Sequence, residues 1–231
     1  MKSLIFDAGP IISLATNNLL WILEPLEKEF AGNFYITEAV KRELVDKPLE
    51  IKRFKFEAIQ VEKLVESETL KIIDNNIIRQ ETLHLLNIAN DIFKAYNNYM
   101  KIVHYAEMSA IAAAIYLNSD VVAIDEKTTR YLIENPKVMA EILRKTLHTS
   151  ISINESNLKE FKTIVKNIKT IRSVELVTVA YEHKLLEDYV TKIPNARKNL
   201  LDSVLWGVKL NGCAVSKAEI EQIVKLETKL V

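Results

Sequence analysis

Cysteine occurs once in this chain, glycine four times and proline five, and 31 basic residues are matched by 31 acidic ones. The lone Cys213 excludes an internal disulfide and a cysteine-based zinc cluster. The charge balance excludes a global positive field of the kind that gathers nucleic acid. A slight asymmetry runs along the chain: residues 1–150 carry 18 basic and 21 acidic side chains, the remainder 13 and 10. No apolar run reaches the roughly 20 residues that span a bilayer. The apolar N-terminus is broken at Asp7 with no small-residue cleavage pattern after it, so no signal peptide is expected and the cytoplasm is the expected compartment. No linker rich in Gly, Ser or Pro divides the chain. With 48% hydrophobic and 27% charged residues, the expectation is an ordinary globular α/β protein: a core over residues 1–150 and a mostly helical part over 151–231 packed on the same domain.

Local pattern supplies the elements. "SLIF" (3–6) reads as a short buried strand, and "GPIISLATNNLLWILEPL" after it has helical spacing with Pro10 in the first turn. "NFYIT" (33–37) is β-branched and aromatic, and Thr37 is placed to cap a helix "EAVKREL". A helix over 52–67, an edge strand in "TLKII", and a long helix over 77–100 follow. The alanine-rich "AEMSAIAAAIYLNS" predicts a helix, and "DVVAID" (120–125) a strand that Asp125 closes. Beyond it "TSISIN" and "KTIRS" suggest two short strands. Three apolar-striped helices and a last one, after a stop at Gly212 and capped by Ser216, complete the tail.

Four carboxylates stand where this reading leads to chemistry. In a parallel α/β sheet the functional crevice lies beyond the carboxyl ends of the strands, and Asp7 and Asp125 are at such ends. Glu43 lies in the helix after the second strand, and Glu107 opens the alanine-rich helix. Converging carboxylates raise each other's pKa unless a divalent cation lies between them, and an all-oxygen ligand set suits Mg2+ or Mn2+ rather than zinc. The plainer alternatives are a helix N-cap for Asp7, a solvated helix face for Glu43, a macrodipole partner for Glu107 and a turn cap for Asp125. His84, His104, His148 and His183 lack ligand spacing, Trp21 and Trp206 read as core residues, and Cys213 has no basic neighbour to activate it.

"LIFDAGPIISLA", "FYITEAVKREL" and "AEMSAIAAAIYLNSDVVAIDEKTTR" resemble, in order, the acidic motifs of the PIN-domain nuclease family. The resemblance covers roughly residues 1–135 by motif. It implies a Rossmann-like PIN fold with a central parallel sheet flanked by helices, and Mg2+- or Mn2+-dependent cleavage of RNA. It places the family's four acids on Asp7, Glu43, Glu107 and Asp125. One cation would be held by Asp7, Glu107 and Asp125 and a second nearer Glu43, leaving 5'-phosphate and 3'-hydroxyl products. Lys41, Arg42, Lys127 and Arg130 lie near the motifs and could hold flanking phosphates. Three positions depart from the family pattern: Ala8 stands where a hydroxyl often follows the first acid, Ala106 precedes the third in place of glycine, and Glu126, Thr128 and Thr129 compete for the place beside the fourth.

The functions expected from this are a ribonuclease, as a toxin with a separate antitoxin partner, or a PIN-like RNA-binding or assembly module without catalysis. A phosphatase of the haloacid dehalogenase type also opens on an apolar strand ending in Asp, but its general acid would fall on Gly9. A homodimer formed through apolar helix faces is the expected assembly.

Overall fold

The computed structural model describes residues 2–228. In chain order the elements are β1 (Ser3–Phe6), α1 (Ala8–Thr16), a 3-10 turn (Leu20–Ile22), α2 (Leu23–Phe30), β2 (Asn33–Thr37), and α3 (Glu38–Lys41). A π-helical turn (Arg42–Asp46) joins α3 to α4 (Lys47–Glu50), followed by α5 (Lys55–Glu66), β3 (Lys71–Ile73), α6 (Asn76–Asn90), β4 (Phe93–Ala95), β5 (Asn98–Tyr99) and α7 (Tyr105–Tyr116). Then come β6 (Val121–Ala123), α8 (Lys127–Glu134), α9 (Pro136–Leu147), β7 (Ser152–Ile153), α10 (Glu155–Ile164), β8 (Lys169–Ile171), α11 (Ser173–Glu182), a 3-10 turn (Glu187–Tyr189), α12 (Ala196–Leu210) and α13 (Lys217–Glu227).

Five strands form a parallel sheet in the order β3-β2-β1-β6-β8, flanked by helices. The chain lays β1, β2 and β3 outward in one direction and then returns to build β6 and β8 on the other side of β1. The order therefore reverses between β1 and β6, which opens a crevice at their carboxyl ends. Strand alternation divides the core between the two faces. Leu4 and Phe6 of β1, Phe34 and Ile36 of β2 and Ala123 of β6 pack on α1, α2, α11 and α12. Ile5, Val122 and Ile124 point the other way, into α6, α7 and α10. The alanines of α7 are buried on nearly every side, so small side chains let this helix lie close against both the sheet and α6.

Two expectations of the local pattern fail, one at a local stop and one through distant pairing. The first helix stops at Thr16, because Asn17 caps it and Asn18 turns into the left-handed region with φ 56°. The helix over 77–100 ends at Asn90, and residues beyond it form β4 and β5, with β4 pairing antiparallel to the distant β7 through Phe93 and Ile153. Asn90 Oδ1 accepts the N–H groups of Ile102 and Val103 at 2.7 and 3.1 Å, fixing the return of the chain. Trp21 is also not a core residue: it is 39% exposed and its ring stacks on Tyr189 at 6.3 Å. Cys213 is buried, and burial together with the Asp125 charge pushes its thiol up to about 12, so it is unreactive.

Candidate metal centre

Asp7 follows the last residue of β1. Its N–H donates to the Ala123 carbonyl at 3.0 Å, which ties it to β6, and its Oδ2 accepts the Gly9 N–H at 3.4 Å as the N-cap of α1. The side chain is buried and has no ion pair among the described residues. Burial pushes its carboxyl up to about 7, and the Glu107 and Glu43 charges add to the shift against the N–H groups of Ala8 and Gly9. The capping role and the charged cluster thus coexist at one residue.

Glu107 is the third residue of α7. Its Oε2 accepts the His104 N–H at 3.1 Å and the Thr129 hydroxyl at 2.8 Å. Burial raises its carboxyl, the two hydrogen bonds oppose this, and the Glu126 charge raises it further. Thr129 is itself wholly buried, and its N–H donates to Glu126 Oε2 at 2.8 Å as that residue caps α8. Among the residues beside the fourth acid, Thr129 and Glu126 are therefore the ones wired to Glu107. Glu43 lies in the π-helical turn, a geometry frequent at functional sites. Its carboxylate is exposed, with Lys47 Nζ 3.9 Å away.

Asp125 is turned differently. Its Oδ1 accepts the Ser173 N–H at 2.7 Å, and its Oδ2 accepts the hydroxyls of Ser13 and Ser173 at 2.6 and 2.7 Å. It caps no turn of its own; it holds α1 and the start of α11 onto the end of β6. Gly9 eases this approach, since a Cβ there would lie in tight contact, 3.2 Å from the Asp125 Cβ.

The structure thus brings Asp7, Glu107 and Glu43 into one electrostatic field and engages Asp125 internally. Among the described residues, no three His, Cys, Asp or Glu side chains are close enough together to hold a metal ion. The donor chemistry nevertheless suits a hard divalent cation: the groups are all carboxylates, and among the described residues Asp7 meets only backbone N–H groups and Glu107 Oε1 carries no hydrogen bond. The flanking cations are partly committed, Lys41 to Glu62 at 3.6 Å and Arg130 to Glu134 at 3.4 Å, with Lys127 over the Tyr131 ring. The sequence reading missed Ser13 and Ser173 as partners of Asp125. Ser13 interrupts the buried apolar face of α1 between Ile11 and Leu14, a signal that its hydroxyl needs an internal acceptor. Ser173 gave no comparable sign, being one of many helix-start serines.

Compared with known proteins, residues 3–140 match a family model described as a PIN domain. No curated protein and no solved structure matches the chain.

Proposed function

Since this chain belongs to the PIN-domain family, whose members are generally nucleases that use divalent metals, we propose that it is a Mg2+- or Mn2+-dependent endoribonuclease. The observation that carries this reading is Asp7: a buried carboxylate at the sheet's switch point, with no cationic side chain paired to it among the described residues and with Glu107 and Glu43 adding to its charge penalty. When bound there, a divalent cation supplies an activated water and neutralises phosphate charge. Asp7 and Glu107 would hold it, with Glu43 at the exposed rim. The His104 N–H and the Thr129 hydroxyl orient Glu107. Asp125, the fourth acid, is engaged through both oxygens by Ser13 and Ser173 and positions the ends of β1 and β6.

The test is cleavage of single-stranded RNA with and without Mn2+, by wild type and by Asp7→Asn. Cleavage that needs the metal and vanishes in a folded Asp7→Asn supports the reading. Cleavage that survives both changes overturns it.

A non-catalytic RNA-binding or assembly module is the second reading, favoured by the internal engagement of Asp125. As partners we propose an RNA substrate, a second copy of the chain and, in a toxin role, an antitoxin protein. The exposed apolar side chains Ile51, Phe56 and Ile59 support pairing.

A further inference from the structure

The Asp7 crevice does not end at β1. Phe6 pairs with Ile36 and Thr37 with Ile73, so Thr37 stands one strand spacing from Asp7, roughly 5 Å, with the end of β3 one spacing further on. Over those ends lies a cavity of about 310 Å³ between α3, α6 and the start of α7. Its walls are largely polar: Glu38, Arg42, Asp74, Arg79 and Tyr105 line it above a floor of Thr37 and Ser109.

Internal hydrogen bonds leave only some of these groups available. Ser109 donates to the Ala106 carbonyl at 2.6 Å, so Thr37 must donate to Ser109 across their 2.6 Å contact, and Thr37 Oγ1 accepts the Val40 N–H. The floor has no donor left. Arg79 grips Asp74 through Nε and Nη2, which fixes its plane and leaves Nη1 without a partner among the described residues. The Glu38 carboxylate and the Arg42 guanidinium have no side-chain hydrogen bond or ion pair among the described residues, although the Glu38 charge acts on the neighbouring Arg79. The available set is therefore one acceptor carboxylate, guanidinium donors and the 39% exposed Tyr105 ring. Both signs of charge are present, which argues against a simple phosphate pocket.

We propose that this cavity binds an unpaired guanine of the RNA strand next to the cleaved bond, a deepening that rests on the nuclease reading above. Guanine presents adjacent N–H donors on its pairing edge and acceptors at O6 and N7, which complement a carboxylate and an arginine together. Tyr105 supplies the stacking face that single-stranded RNA recognition uses. Adenine lacks the N–H donor pair that Glu38 accepts.

The experiment is calorimetric binding in EDTA, where no metal site or cleavage contributes. The ligands are GMP, AMP, CMP and UMP, hexauridylate, and the same hexamer with one central guanosine. The proposal expects GMP to bind about tenfold or more tightly than the other nucleotides, the guanosine hexamer to bind more tightly than GMP, and Glu38→Gln to remove the preference while retaining a wild-type circular dichroism spectrum. Tyr105→Ala should weaken guanosine binding generally. Equal binding or no binding of the four nucleotides overturns the assignment, as does a guanine preference that survives Glu38→Gln. GMP held as tightly as the hexamer would make the cavity a free-nucleotide site and overturn it equally. Failure of the nuclease reading looks different: guanine selectivity in EDTA would persist while Mn2+ binding and cleavage were absent.

Discussion

Burying a carboxylate raises the free energy of its charged form, and at Asp7 the Glu107 and Glu43 charges add to that penalty. The folded chain therefore holds the Asp7 proton to about pH 7, whereas the ordinary carboxyl loses it near 3.8. Between those values the folded state binds more protons than the unfolded one, so metal-free stability falls as pH rises across that window, by on the order of 4 kcal/mol at its upper end. Denaturant titrations of wild type and Asp7→Asn from pH 4 to 8 check this: the asparagine variant should lose most of the slope and be the more stable protein above pH 7. Thr129→Val tests a second residue. It keeps the buried shape but removes the 2.8 Å hydrogen bond to Glu107, so Mn2+ affinity should fall about 10-fold or more, with little change in the thermal midpoint. Of these residues, Asp7 and Glu107 were legible because a charge next to a strand end or helix start is visible in one dimension. The Thr129 contact was not, since it joins two helices 22 residues apart.

At the scale of elements, Asp125 works as a latch for the tail. Its two oxygens hold Ser13 of α1 and Ser173 of α11, its carbonyl accepts the Ala214 N–H at 3.1 Å, and Arg172 closes the same junction through the Ala214 carbonyl at 2.9 Å and Glu219 at 3.0 Å. Replacing Asp125 with alanine strands buried hydroxyl and N–H donors, at a cost of about 3 kcal/mol or more. The loosened tail should also expose Cys213. Thiol labelling under native conditions would detect it: no labelling in wild type, slow labelling in Asp125→Ala. Strands β1, β2 and β6 and the alanine-rich α7 follow from composition and periodicity, because burial on one or both faces dictates their residues. Strand β4 did not, because its partner β7 lies about 60 positions away and no local spacing reports it, and β5 pairs with β4 alone.

Across the whole molecule, the tail is part of the sheet and of the core. Strand β8 extends the parallel sheet beside β6, and Val174, Val177, Leu201 and Leu205 share one apolar cluster with Leu4 and Phe6. A fragment ending at residue 150 would expose that cluster, and is expected to aggregate or unfold without a cooperative transition, as circular dichroism melting would show. Among the described residues no helix is long and apolar enough to cross a membrane. At the switch point between β1 and β6 the Glu43 and Glu107 charges both act on Asp7, although the three residues are far apart in the chain. Strand order, which a single sequence does not display, decides that convergence. Calorimetric titration of Mn2+ into wild type and Asp7→Asn puts the proposed cation site at Asp7 and its neighbours to the test. Saturable binding to wild type that the substitution weakens by an order of magnitude or more is expected. Equal binding to both proteins, or none to either, would contradict it.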